Sequence, residues 1–107
     1  MESFFKGDTF SKNYTVTLDD GDYEFANGDV LKVAFFDLFG KPYAQKTYEV
    51  TTPTNEIQIT WSHEETEDLR GLYVLQVNIT TSTFSQTNRD FVYVNNNDVY
   101  SGDGDIG

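Results

Sequence analysis

Few residues of this chain have side chains that could carry out a reaction. His63 is the only histidine, and the sequence contains no cysteine. A Ser–His–Asp triad or a zinc site with a histidine ligand would therefore have to use His63, and the other zinc ligands would have to be carboxylates. A nucleophile motif of the form Gly-x-Ser-x-Gly is absent. Because His63 lies in an acidic segment that we expect to be exposed, we predict no catalytic residue there.

Carboxylates are the other candidates, and they cluster at 19–22, 64–68 and 103–105. A glycosidase uses two carboxylates about 5 to 9 Å apart, but it also needs a concave site that raises the pKa of one of them. Turns of a small β domain seldom form such a site, so solvated turns are the favoured interpretation. Residues 101–107 resemble part of a calcium loop without its distal glutamate. We predict a protein that is not an enzyme and has no cofactor or metal site.

Composition argues against further classes of function. The chain has 107 residues, the length of one domain, and a formal net charge of −11. Nucleic acids and anionic membranes both select basic surfaces, so neither is an expected partner. No apolar run approaches the roughly 20 residues of a membrane-spanning helix, and none follows Met1, so we predict neither membrane insertion nor a signal peptide. The lack of cysteine favours a bacterial or viral source over an extracellular eukaryotic domain.

The elements that must position these residues are predicted to be β-strands, because apolar and polar residues alternate with period two along most of the chain. Turn-forming residues separate the runs, including a hairpin loop at 37–42 in which Gly40 suits a positive φ. The residues predicted to face the core are Tyr14, Val16, Leu18, Leu31, Val33, Phe35, Tyr48, Val50, Ile57, Ile59, Trp61, Tyr73, Leu75, Val77, Ile79, Phe91 and Tyr93.

One segment departs from the alternation. Ser62 is a candidate helix N-cap, and Glu65 follows three residues later, as in a capping box. This spacing predicts a short helical turn near residues 63–69 that crosses from one sheet to another.

The number and spacing of the strands predict an all-β fold. About 7–8 short strands with regular turns are typical of an immunoglobulin-like antiparallel β-sandwich, which we place over residues 1–95. Residues 96–107 are rich in Asn, Asp and Gly, and this composition predicts a flexible acidic tail or linker.

Residues 71–75 are typical of the tyrosine corner of such sandwiches. In that motif a tyrosine lies near the start of a strand, two residues before a core position, and its hydroxyl bonds back to the preceding backbone. Tyr73 would be this tyrosine, Leu75 would fill the core position, and Gly71 would allow a tight approach into the strand. A strand that simply starts with a half-buried tyrosine is the alternative.

Four apolar residues fall on the face predicted to point away from the core: Phe36, Val74, Val92 and Val94. They could fill a corner of the sheet, or they could form a surface for assembly with other proteins. The open edges of a sandwich also invite strand addition from a neighbour.

Three ordered segments resemble a known family. They are Lys-Gly-Asp-Thr-Phe at 6–10, the strands at 23–37 that end in Phe-Phe-Asp, and Glu-Thr-Glu-Asp-Leu-Arg-Gly-Leu-Tyr at 65–73. Within residues 4–94 the chain resembles the immunoglobulin-like domains of bacteriophage tail and baseplate proteins, especially the N-terminal domain of upper baseplate proteins. The resemblance implies a non-catalytic structural module of the virion, made in the host cytoplasm.

The resemblance also implies the partners, which would be other phage structural proteins, with self-association as an alternative. A different class of function follows from the aromatic content of 16%. Sugar rings stack on exposed aromatic side chains, so a carbohydrate-binding or host-adhesion module is the alternative function. Exposure of Trp61, Tyr43 or Tyr48 on one flat face would favour it.

Overall fold

A computed structural model describes residues 1–96, and in this part the chain is all-β with one short helix. The elements in chain order are β1 (Glu2–Phe5), β2 (Phe10–Tyr14), β3 (Thr17–Leu18), β4 (Gly21–Asp22), β5 (Val30–Phe36), β6 (Pro42–Glu49), β7 (Ile57–Trp61), α1 (His63–Thr66), β8 (Gly71–Thr80) and β9 (Ser85–Asn95). The predicted tail and the segment resembling a calcium loop lie outside the described residues, apart from Asn96.

The strands form three sheets. The largest has five strands in the order β1-β9-β8-β5-β6, in which β1 runs parallel to β9 and the other neighbours are antiparallel. Strands β2 and β7 form an antiparallel pair, and β3 and β4, with two residues each, form a short antiparallel hairpin. Within the described residues, no helix is long or apolar enough to cross a membrane.

The core lies between the five-stranded sheet and the β2–β7 pair. Phe35 of β5 contacts Phe10 of β2 and Trp61 of β7, with ring centroids 6.2 and 5.2 Å apart. The predicted inward residues of β5, β7 and β8 are all buried, so the alternation predicted these three faces correctly. Burial of large apolar side chains from both layers is the main source of stability for such an arrangement.

The predicted faces of β9 are wrong. Val92 and Val94 are 0% and 1% exposed, whereas Phe91 and Tyr93 are 56% and 43% exposed. The register explains this reversal: Val92 lies opposite Tyr73, which faces the core, and directly opposite residues of neighbouring strands point to the same face.

Two further residues predicted to face the core are exposed, each on an element that has no neighbour on one side within residues 1–96. Leu18 lies in the small β3–β4 hairpin and is 40% exposed. Tyr48 lies on β6, the edge strand of the five-stranded sheet, and is 41% exposed.

The predicted helical turn is present as α1, which links β7 of the small sheet to β8 of the large one. Ser62 is the N-cap, its side chain accepts a hydrogen bond from the Glu65 amide, and the Glu65 carboxylate accepts one from the Ser62 amide. Glu65 also pairs with Lys46 of β6, 3.0 Å away. The fully buried Thr66 donates its hydroxyl to the Asp8 carbonyl, which anchors the turn to the β1–β2 loop.

A β-bulge interrupts β6 where it pairs with β5. The register shifts between Val33 and Phe35, and Ala44 has φ +52°. Non-glycine residues seldom adopt this conformation, so an interaction must hold it. The buried Trp61 indole N–H supplies one, because it donates a hydrogen bond of 2.9 Å to the Ala44 carbonyl.

Candidate functional site

The residues considered for chemistry do not lie together in one site. His63 is exposed at the start of α1, and its imidazole lies 3.8 Å from the carboxylate of Glu64. The acids at 19–22 lie on the exposed β3–β4 hairpin. Within residues 1–96, no group of three or more His, Cys, Asp or Glu side chains is arranged to hold a metal ion.

Asp29 is the one aspartate buried in the described part of the chain, and it has a structural role. It is 4% exposed and accepts hydrogen bonds from the Tyr23 hydroxyl at 2.7 Å and the Ala26 amide at 2.8 Å. Its carboxylate therefore closes the 26–29 turn that leads into β5.

An apolar patch lies on the outer face of the five-stranded sheet. The strand register forms two cross-strand rows that point away from the core, and we call them the outer-face patch. One row is Phe91–Val74–Phe36–Pro42 across four strands, and the other is Tyr93–Leu72 across two. At about 4.8 Å between strands, the first row spans roughly 14 Å.

The outer-face patch contains part of the predicted interaction surface. Phe36 and Val74 are directly opposite each other and half-buried, as an outer-face position requires. Val92 and Val94 do not join them, because both lie in the core. Phe91 and Tyr93 stand in their place, and Phe5 of β1, 51% exposed, points to the same face.

The sequence contains one weak signal for the two missed aromatics. Phe91 lies directly opposite Val74, a residue already assigned to the outer face, but only the register of the hairpin reveals that pairing. The alternation alone does not show which face of β9 meets the core. Each face carries two large apolar residues at one end of the strand, and a charged residue, Arg89 or Asp90, precedes them.

The outer face around the patch has no acidic side chain on β8 or β9. The outward residues of these strands are Leu72, Val74, Gln76, Asn78, Thr80, Ser85, Thr87, Arg89, Phe91, Tyr93 and Asn95. The outward side chains of β8 and β9 include none of the chain's 18 acidic residues. This is the composition of an interface, in which aromatic residues and arginine are enriched and acids are depleted. Glu49 of β6, opposite Val30, is an acid on the same face but at the end of β5 away from Phe36.

A shallow groove borders the patch on its polar side. Its volume is about 290 Å³, and Ala34, Phe36 and Gln76 contribute to its lining. The small Ala34 side chain leaves room there between larger neighbours. Arg89 is held over this region by a 2.8 Å hydrogen bond from its Nε to the Gln76 side chain.

The start of β8 has the geometry expected from residues 71–75. The Tyr73 hydroxyl accepts a hydrogen bond of 3.0 Å from the Arg70 amide, which is the predicted backward bond. Gly71 has φ +86°, and a side chain there would meet no atom within 4 Å. Its role is therefore the left-handed backbone conformation and not a close approach. Leu75 is buried at 3% exposure.

The aromatic residues named for sugar stacking do not form an exposed flat face. Trp61 is fully buried. Tyr43 is half-buried and packs edge-on against Tyr73, with ring centroids 5.7 Å apart. Of the three, Tyr48 alone is exposed.

Comparison of the chain with protein-family models, curated proteins and solved structures gives no match. The candidate site is therefore defined by this chain's own residues: a continuous, acid-free apolar patch on the outer face of the larger sheet.

Proposed function

We propose that this chain is an immunoglobulin-like β-sandwich that acts as a non-catalytic assembly module through protein–protein contacts. The strand order supports the fold. Strands β9, β8, β5 and β6 follow the G-F-C-C′ order of variable-type immunoglobulin sheets, and β2 and β7 take the places of B and E. The bond from the Arg70 amide to the Tyr73 hydroxyl supports a tyrosine corner at the start of strand F.

The outer-face patch is the observation that carries the function. Its aromatic anchors are already exposed on a rigid sheet, so a partner would pay little entropy for ordering them. Polar residues and positive charges, among them Arg89 and Lys32, adjoin the apolar rows, which matches the polar rim and apolar centre of protein interfaces.

The proposed setting is the tail or baseplate of a bacteriophage virion, with other phage structural proteins as partners and synthesis in the host cytoplasm. The ordered segments at 6–10, 23–37 and 65–73 support this setting. The acidic surface is compatible with assembly in a crowded particle, since a net charge of −11 keeps the free chain soluble.

Co-expression with the products of the genes that flank its own tests the proposal. We expect a tail or baseplate protein to co-purify with the chain. Phe91→Lys should weaken that complex at least about tenfold, because Phe91 is the most exposed aromatic of the two rows and a lysine there would lose its hydration against an apolar partner. Tyr48→Lys is the matched control: it replaces an aromatic of similar exposure that lies outside the patch, so the complex should persist.

Two results would contradict separate parts of this proposal. Flanking genes that encode no structural proteins, together with a strictly monomeric chain, would refute the virion assembly role. A complex that tolerates Phe91→Lys but not Tyr48→Lys would retain the role and reject the outer-face patch as its surface.

A further inference from the structure

The edge of β9 is covered along only part of its length. Strand β1 pairs with β9 from Val92 to Asn95. Over Ser85–Phe91, no strand within residues 1–96 lies on that side of β9. Strand β2 is likewise an edge strand, so a cleft opens between it and β9.

Backbone groups of β9 point into this opening. The Asn95 carbonyl accepts a hydrogen bond from the Lys6 amide on the β1 side. In a β-strand, the N–H and C=O of alternate residues point to the same side. Thr87 and Arg89 therefore direct their N–H and C=O groups toward the uncovered edge, where an added strand would bind them.

The other free edge of this sheet is less suited to strand addition. Strand β6 carries Pro42, which has no N–H, and the bulge at Ala44. Both features block pairing at natural sheet edges. Residues 85–91 of β9 have neither a proline nor an interruption of their register with β8.

The cleft between β2 and β9 has a volume of about 340 Å³. Leu75 and Val77 of the core contribute apolar surface to its lining, while Tyr14 and Asn88 contribute polar groups and Lys12, Arg89 and Asp90 contribute charges. Lys12 of β2 lies 4.0 Å from the Asp90 carboxylate and also pairs with Glu2. An occupant would therefore need an apolar side chain next to polar backbone groups.

The Tyr14 hydroxyl lacks a hydrogen-bond partner in the described part of the chain. Tyr14 is 9% exposed, and within residues 1–96 its oxygen is the buried side-chain polar atom that has no hydrogen-bond partner. Burial, together with the nearby carboxylates of Asp90 and Glu2, raises the pKa of Tyr14 above its ordinary value. The hydroxyl therefore keeps its proton and needs an acceptor, such as a carbonyl oxygen.

We propose that the β2–β9 cleft binds an extended peptide segment of a partner protein, which adds as a strand to the edge of β9 at 85–91. The Tyr14 hydroxyl oxygen is buried in the free chain, so the Tyr14 side chain turns toward the added segment and donates a hydrogen bond to one of its carbonyls. The segment places an apolar side chain toward Leu75 and Val77. Its net charge is neutral or positive, because the chain as a whole carries −11; among the described residues that line the cleft, the one acid, Asp90, is already offset by Lys12 and Arg89. The net charge of the whole chain also disfavours a second copy of this chain as the occupant.

This site uses the backbone edge of β9 and the inward side of β2, whereas the outer-face patch uses side chains on the other face of the sheet. The two surfaces share Phe91, which offers its backbone to the first and its side chain to the second. Peptide binding in the cleft and partner binding at the outer-face patch can still be tested independently. Substitution of Tyr14 affects the cleft, and substitution of Tyr93 affects the patch.

A random library of peptides about twelve residues long, selected on the full chain, supplies the probe. The highest-affinity peptide is synthesised and titrated into isotopically labelled protein. We expect amide shifts at 85–91 and a change at Tyr14. Tyr14→Phe should weaken binding about three- to tenfold, the value of one hydrogen bond, without lowering the Tm of the free protein. Tyr93→Phe, which removes an exposed hydroxyl on the outer face, should leave peptide binding unchanged.

Three results would overturn the inference. A lower Tm for free Tyr14→Phe would show that the hydroxyl already has a partner in the fold, such as a bound water. Selected peptides whose shifts map to the outer-face patch would assign peptide binding to that patch instead. If the library yields no peptide that binds the chain, the proposal of strand addition is wrong. The co-purification experiment would still test the outer-face patch.

Discussion

Two tyrosines in the core show how much depends on one hydroxyl group. Tyr14 and Tyr73 are 9% and 5% exposed, and both lie on strands that line the core. The Tyr73 hydroxyl accepts the Arg70 amide, whereas the Tyr14 hydroxyl has no partner within the described chain. A buried polar group costs free energy unless it is hydrogen-bonded, so the same residue type stabilises the fold at one position and weakens it at the other.

Tyr73→Phe should therefore lower the free energy of unfolding by about 1 to 2 kcal/mol, because it leaves the part-buried Arg70 amide without an acceptor. Chemical denaturation with urea measures this loss. Tyr14→Phe is the matched control, since it removes a hydroxyl that makes no hydrogen bond, and it should leave the free energy of unfolding unchanged or raise it. Equal losses in the two variants would show that the bond to Arg70 contributes no stability.

At the scale of elements, loops and edges carry the interactions that define the sheet. In the β5–β6 loop, the Asp37 carboxylate accepts hydrogen bonds from the Phe39 amide at 2.8 Å and the Lys41 amide at 2.9 Å. Gly40 has φ +87°, as predicted from its place in the loop. These contacts hold the connection beside the end of the first row of the outer-face patch, at Phe36 and Pro42.

The Asp37 hydrogen bonds predict a loss of stability in acid. The Lys41 amide, and then the Phe39 amide, lower the pKa of Asp37 against the opposing effect of desolvation. A lowered pKa means that the contribution of this carboxylate is present above its unfolded pKa and is lost as the pH falls through the folded value. Asp37→Asn should thus be less stable than the parent near neutral pH, and its Tm should fall less between about pH 5 and about pH 2.

Thermal unfolding at a series of pH values measures this difference between the two acid profiles. Asp20→Asn serves as the control, because it makes the same charge change in the β3–β4 turn without the hydrogen bonds of the Asp37 loop. If Asp37→Asn and the parent lose Tm in parallel, the carboxylate does not hold the loop.

At the scale of the whole molecule, charge is the dominant feature. The chain has 18 acidic and 7 basic residues. Ion pairs such as Lys46–Glu65 offset only part of this excess, and surface pairs of this kind each contribute little. The folded state therefore holds many like charges close together, and their mutual repulsion opposes compaction.

Salt should therefore stabilise the folded chain. Raising NaCl from about 10 mM to about 200 mM shortens the screening length and should increase the Tm at neutral pH. The control is the same titration near the isoelectric point of about 4.1, where the net charge approaches zero and the increase should largely disappear. A Tm that falls with salt at neutral pH would mean that specific ion pairs outweigh the general repulsion.

Several parts of the fold follow from short-range patterns. Ser62 and Glu65 predict α1, because a capping box is satisfied by backbone groups within four residues of each other. The inward faces of β5, β7 and β8 follow from alternation, since in each of these strands one face carries the larger apolar residues. The backward bond to Tyr73 is also local, as it joins residues 70 and 73.

Other parts depend on contacts between distant segments, and only the tertiary structure decided them. In β9 both faces carry large apolar residues, so the register with β8 determined that Val92 and Val94 fill the core while Phe91 and Tyr93 form the outer-face patch. The orphan hydroxyl of Tyr14 likewise arises where β2 and β9 approach each other. The sequence alone determined that the chain has strands with two distinct faces. Alternation does not say which face meets the core, because a shift of one residue in pairing exchanges the two.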